Sequence, residues 1–352
     1  MAHVREQDGG TVVLRHQGSL SWLLGVRSHV PQTLDAACFD LVVEAPAAEG
    51  PGGARLTVVT NAIEAPRLRA SELADLDADW TVVPWWETRE PELPTGPDVL
   101  TDVGYPGARV VTGLGALRRS LTRHQAEQLE TVSRDAAAAA TDTARELTPR
   151  TTEYAAAGLF SRELLARGLD PVVLLVAGDT RIGPHRHPLP TGEALGRRAM
   201  LVCCARRHGL IASVTRTVAF TPPTAGEHDA YHRLLEVEGD FLDATRPGRT
   251  VGSVVAAGTA GYAVHGFAPE EWHRHHQGGF SGWQPREYPA HPASTDVIPD
   301  AAVVAWNPSA AGWKVEDTSI VSDAGPRPLV VDPRWPTRTV RGRRRPEPLI
   351  LD

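Results

Sequence analysis

Trp272-His273-Arg274-His275-His276-Gln277-Gly278-Gly279 opens the stretch on which the reading of this chain turns. The stretch continues through Arg286-Glu287-Tyr288-Pro289 and Trp306-Asn307-Pro308-Ser309 and closes on Lys314-Val315-Glu316-Asp317-Thr318. Imidazoles, an arginine, an amide and a carboxylate lie between glycines and short apolar runs. That is the composition of strands and turns converging on a pocket.

Upstream, Thr122-Arg123-His124-Gln125 reads as a capping box before a long alanine-rich helix, with Leu129, Val132, Ala136 and Ala140 on one stripe. A second helix runs from Tyr154 to Ala166 and stops at Gly168. Pro171–Ala177 reads as a strand buried on both faces. His185-Arg186-His187-Pro188-Leu189-Pro190-Thr191 is a loop, because two prolines exclude a helix interior or central strand. Ala199–Ala205 and Leu210–Phe220 form a strand pair turned at His208-Gly209, and two further helices span about 225–245 and 250–265. Residues 10–110 read as a separate α/β unit, with a turn at Gly50-Pro51-Gly52-Gly53. Leu20–Val30 reads as a buried strand followed by a solvated loop carrying Arg27 and His29. The expected organisation is a domain over 1–117, a larger one over 118–335 and a basic, proline-rich tail over 336–352.

At 352 residues the chain is long enough for two domains. No stretch reaches the roughly 18–20 uninterrupted apolar residues of a membrane span, and the start lacks an apolar signal core. The expectation is a soluble cytoplasmic protein with no membrane partner. The net charge of −7 argues against a nucleic-acid surface. The basic run Arg341-Gly342-Arg343-Arg344-Arg345 is read as a solvated tail. Cys38, Cys203 and Cys204 cannot form a disulfide framework and are read as buried thiols. Lysine occurs once, at 314, against 35 arginines, which singles it out beside Glu316.

Leu195-Gly196, His208-Gly209-Leu210, Val214-Thr215-Arg216-Thr217, His276-Gln277-Gly278-Gly279 and Val315-Glu316-Asp317-Thr318 resemble, in order and separation, the pita-bread fold family of methionine aminopeptidase, aminopeptidase P, prolidase and creatinase. The resemblance covers most of the chain. It implies an α+β architecture: a C-terminal pita-bread domain behind a smaller creatinase-type α/β domain that includes a strand end at Trp22-Leu23-Leu24-Gly25. The family's peptidases hold two divalent ions with two aspartates, a histidine and two glutamates. Registered on Val214-Thr215-Arg216-Thr217, those positions fall at Val202, Ser213, Phe280 or a residue next to it, Asn307 and Glu316, so only the last ligand is retained. Two adjacent divalent ions need anionic oxygen ligands, and the resemblance therefore points away from the usual metallopeptidase mechanism. No metal and no other cofactor is expected.

Creatinase, in the same family, uses histidine acid–base chemistry without metal. The expectation is a metal-independent hydrolase cleaving a C–N bond of a small amino-acid-like or short-peptide substrate. His187, His276 and Glu316 are the catalytic candidates; imidazole titrates near neutrality without large perturbation. Arg216 is expected to pair with Glu316. Arg286, whose guanidinium fork matches a carboxylate, is expected to clamp substrate, with Asn307, Gln277 and His185 as further contacts. The creatinase-like arrangement implies a homodimer in which Arg27 and His29 complete the partner's pocket. His273 and His275 are read as solvated helix-end residues. A zinc site built from His185-x-His187, His275-His276 and Cys203-Cys204 is disfavoured because neighbouring strand residues point to opposite faces. A non-catalytic pseudo-peptidase and a divergent metal-dependent Xaa-Pro-type aminopeptidase remain the alternatives.

Overall fold

The computed structural model describes residues 1–28, 36–45 and 53–351. Its contacts divide the chain into two compact units after Arg118.

The first unit is built on a mixed sheet of β1 (Thr11–His16), β2 (Ala36–Glu44), β3 (Arg55–Asn61), β4 (Asp79–Val83), β5 (Val99–Thr101) and β6 (Arg109–Val110), in the order β4-β3-β2-β1-β5-β6. Alternate residues bury on both faces: Val12, Leu14, Phe39 and Leu41 enter one cluster, Val13, Val42 and Val59 another. That is why these strands read as continuous apolar runs. Residues 50–52 of the expected turn lie outside the described residues, but β2 and β3 pair antiparallel across it, Leu41 opposite Val58. The strand expected from Leu20 is instead a helix, Gln17–Leu24. His16 caps it by accepting from the Gly18 amide, and Gly25 ends it at φ 68°. A short apolar run carries no period that separates helix from strand; here the two end signals decide.

In the second unit, helix Arg123–Glu146 starts at the expected box, with Thr122 and Gln125 capping each other's backbone amides. Helix Glu153–Ala166 follows. The central sheet contains β7 (Asp170–Gly178), β8 (Arg198–Arg207), β9 (Leu210–Ala219), β10 (Gly278–Phe280), β11 (Val303–Trp306) and, beyond the short pair β12 (Ser309–Ala310) and β13 (Trp313–Lys314), β14 (Asp317–Ser322). Its order is β10-β11-β14-β9-β8-β7. The first helix pair packs on Leu201, Cys203, Val214 and Val218. Helices Ala225–Ala244 and Val251–Val264 cluster with Phe280, Val304 and Trp306. β7 is an edge strand, so its first half, Asp170–Leu174, is only partly covered, where burial on both faces was expected.

The basic end is not a solvated tail. β16 (Thr337–Val340) and β17 (Arg343–Pro346), which follow β15 (Gly325–Pro328), form a hairpin, and β18 (Leu349–Ile350) adds parallel to β9. Arg345 is 2% exposed. It grips Glu238 through Nε at 2.7 Å and Nη2 at 2.6 Å, and Asp317 through Nη1 at 2.9 Å. The run binds acidic side chains of its own domain, and composition alone cannot reveal that.

Candidate active site

Strand parity sets the site. In the β8–β9 hairpin Val202 faces Thr215 and Cys204 faces Ser213, so these four share the sheet face opposite the helix-covered core. Cys203 and Cys204 therefore diverge, as the argument against the zinc set requires. On the open face lies a cavity of about 250 Å³ lined by Val173, Leu175, His187, Val202, Cys204, His276, Pro285, Arg286, Asn307, Lys314 and Glu316.

Glu316 is part of its wall, 2% exposed. Its main-chain oxygen accepts from Thr215 N at 2.9 Å, fixing the strand end. Oε2 accepts from Lys314 Nζ at 2.8 Å and from Thr215 Oγ1 at 3.4 Å. Oε1 accepts from Arg286 Nη2. The same guanidinium donates through Nη1 to Ser213 Oγ at 3.3 Å, so Arg286 spans the retained ligand position and a vacated one. Burial by itself raises the Glu316 pKa; Lys314 and Arg286 reverse this and hold it at about 2.

This corrects two expectations. Arg216 does not pair with Glu316. It is one residue out of phase, lies on the other face, and donates to Asp317 Oδ1 at 2.7 Å. Arg286 is not a free two-pronged clamp, because its Nη2 is bound to Glu316 and its Nη1 to Ser213, which leaves only Nε unpartnered. Lys314, noted in the sequence only as a lone lysine, is the second cation on that carboxylate.

The imidazoles come together through two anchors. Buried Glu153 accepts from the Thr191 amide and hydroxyl, both at 2.8 Å, and from Arg181, pinning the loop that carries His187. Arg186 pairs with Glu271, in the short 3-10 turn that precedes His275. His187 Nε2 then lies 3.0 Å from His275 Nε2, and His275 Nδ1 lies 3.2 Å from Ser309 Oγ. His275, expected to be solvated, is 8% exposed, while His273 is exposed. The turn directs His275 inward because the backbone becomes extended there (φ −156°, ψ 141°). Gly278 follows at φ 101°, where a Cβ would sit 2.1 Å from the Ala305 carbonyl oxygen. All three imidazoles are held below the ordinary histidine range. Burial and Lys314 lower His187, and burial with Arg286 takes His276 to about 4. Burial, then Lys314, takes His275 to about 2.

Among the remaining candidates, Asn307 is 1% exposed with its Oδ1 unpartnered. Gln277 does not face the cavity. Its Oε1 accepts from Tyr262 OH at 2.8 Å, and its Nε2 donates to the carbonyls of Trp272 and His275, so it shapes the turn. His185 is exposed and absent from the cavity wall. Arg27, in the first unit, is largely exposed with Nη2 3.6 Å from Glu72. His29 lies outside the described residues.

The depressed His275 has a measurable consequence. Unfolded, it takes a proton below about pH 6.5; folded, it does not until about 2. Stability is therefore expected to fall as pH drops below 6.5, by about 1.4 kcal/mol per pH unit from this group. Urea unfolding between pH 7.5 and 5 of the wild type and His275→Asn checks this; equal pH slopes in the two would refute it.

Residues 127–323 match the profile of metallopeptidase family M24. Curated proteins give no match. The solved structures it resembles include prolidase from Pyrococcus furiosus (16% identity, TM-score 0.73, covering 93% of this chain and 98% of that one). Xaa-Pro dipeptidase from Bacillus anthracis is similar at 15% identity and TM-score 0.75, covering 99% and 98%. So is the N-terminal domain of FACT complex subunit SPT16 from Eremothecium gossypii, at 13% and 0.64, covering 92% and 91%. These likenesses establish the fold: α+β, with the pita-bread arrangement following an N-terminal α/β unit in sequence.

The ion pair implied by the resemblance does not fit these side chains. Val202 and Phe280 offer no ligand atom, Ser213 and Asn307 offer neutral ones, and both oxygens of Glu316 are bound to cations. Ring nitrogens of His187, His275 and His276 do lie within 4.8 Å of one another, a group that can take one transition-metal ion. His228, His232 and Glu347 form a second such group outside the cavity, where His232 Nε2 already pairs with Glu347 at 3.1 Å.

Proposed function

Because the chain belongs to metallopeptidase family M24 while two side-chain cations occupy its retained glutamate, we propose that it hydrolyses a C–N bond of a small amino-acid-like substrate by histidine acid–base chemistry, without the family's two ions. The observation that carries this reading is Arg286 bridging Ser213 and Glu316, with Lys314 on the other carboxylate oxygen. Fixed positive charge then stands where ions would otherwise neutralise Glu316.

In this reading His187 is the general base. With His275 donating Nδ1–H to Ser309, its Nε2 accepts from His187 Nε2–H and leaves His187 Nδ1 free to take a proton from water. His187 then returns that proton to the leaving nitrogen, with the His276 ring beside it on the cavity wall at a centroid distance of 5.5 Å.

Turnover of a panel of N-acyl amino acids, N-carbamoyl amino acids and dipeptides is expected to persist under chelation and to be unaltered by added Mn²⁺, Co²⁺ or Zn²⁺. The three-imidazole group supports a second reading, a single-ion hydrolase. That reading predicts activity lost to chelator and restored by one of these ions. Absence of turnover on every substrate, with and without metal, would sink both and leave a binding protein.

A further inference from the structure

The cavity contains one carboxylate among the described residues, and that carboxylate is already spent. Glu316 Oε1 is taken by Arg286 and Oε2 by Lys314 and Thr215. An ammonium or guanidinium group entering the cavity would meet no free anion. It would meet two cations instead. Lys314 and Arg286 against Glu316 leave the wall one side-chain positive charge in excess. An uncompensated charge in a buried site is costly, and an anion in the cavity relieves it.

Unpartnered polar atoms give the rest of the pattern. Arg286 Nε is a buried donor without an acceptor, and Asn307 Oδ1 is a buried acceptor without a donor. Both residues line the same cavity, as does His276, whose buried Nδ1 is also unpartnered. Buried polar groups in native structures find partners, so these three point to a ligand carrying both an acceptor and an N–H. Val173, Leu175, Val202 and Pro285 supply an apolar wall, and the volume of about 250 Å³ limits the ligand to a small one.

We propose that the natural ligand is a small carboxylic acid whose nitrogen is acylated or carbamoylated, and not a free-amine peptide or a guanidino acid. Its carboxylate meets Lys314 and Arg286, its amide N–H meets Asn307, and its side chain lies on the apolar wall. This assignment rests on the hydrolase reading for the identity of the site, but binding tests it separately from chemistry.

The test uses three probes of nearly equal size on the full chain: N-acetyl-alanine (anionic), N-acetyl-alaninamide (neutral) and glycyl-alaninamide (cationic). Calorimetry on wild type and on His187→Ala is expected to show binding of N-acetyl-alanine alone. Lys314→Met is expected to weaken it by roughly ten- to a hundredfold, the loss of one charge-assisted hydrogen bond. Equal or tighter binding of the neutral or cationic probe overturns the proposal, as does failure of N-acetyl-alanine to bind at millimolar concentration. These comparisons need no variant, so a misfolded Lys314→Met leaves the test intact. If N-acetyl-alanine binds and no N-acyl acid is turned over, the hydrolase reading fails and the ligand assignment stands.

Discussion

Arg345→Met is expected to destabilise the protein by about 3–5 kcal/mol, the range for removing one partner from a buried ion pair. Arg345 joins Glu238 and Asp317, and Asp317 is shared with Arg216. The four charges cancel: two guanidiniums and two carboxylates, all but fully buried. Removing Arg345 leaves Asp317 with Arg216 but strips Glu238 of the two bonds that oppose its desolvation. Burial already raises the Glu238 pKa despite Arg345, so in the variant Glu238 becomes a neutral acid or an unpaired charge, and either is costly. Urea unfolding at pH 7 measures the loss. A change below about 1 kcal/mol, typical of an exposed arginine, would contradict the structure of the C-terminal segment. A Glu238→Leu background is expected to recover much of the loss, because replacing both partners leaves no orphan.

His187→Ala is expected to lower kcat/KM by about 10²–10⁴, the range for a general acid–base group. His187 is on the cavity wall, 3.0 Å from His275, on a loop held by Glu153. Its lowered pKa keeps it unprotonated at neutral pH, the form a base needs. His185, two residues away, is exposed like His187 but lies off the wall, so His185→Ala should leave kcat/KM nearly unchanged. Equal losses in the two variants would mean that the loop as a whole matters and that His187 has no chemical role. Retained binding of N-acetyl-alanine by His187→Ala, with turnover lost, separates catalysis from folding.

Much of this was legible in the sequence because periodicity and capping are local. Thr122 and Gln125 marked the start of the long helix correctly, and the departures from ligand-type residues at Val202, Ser213, Phe280 and Asn307 could be read directly. What was not legible depended on which face a residue occupies. Glu316 and Asp317 are adjacent, so one enters the cavity and the other the buried network with Arg216 and Arg345. Assigning Arg216 to Glu316 required knowing the parity of β9 against β14, where Asp317 lies opposite Val214. Strand parity does follow from the pattern itself: Ser213 and Thr215 alternate with Val214 and Arg216. His275 was missed because nothing in His-Arg-His-His announces that the chain becomes extended at its third residue. The one hint of the site's electrostatics was composition: a chain with 35 arginines and one lysine places that lysine on Glu316.

In the proposed mechanism side-chain cations, not metal ions, neutralise the retained glutamate. Elemental analysis of active protein purified without chelator tests it most directly. Mn, Fe, Co and Zn are each expected far below one ion per chain. Two ions per chain would overturn the proposed mechanism, and one ion per chain that disappears in His275→Ala would replace it with the three-imidazole site.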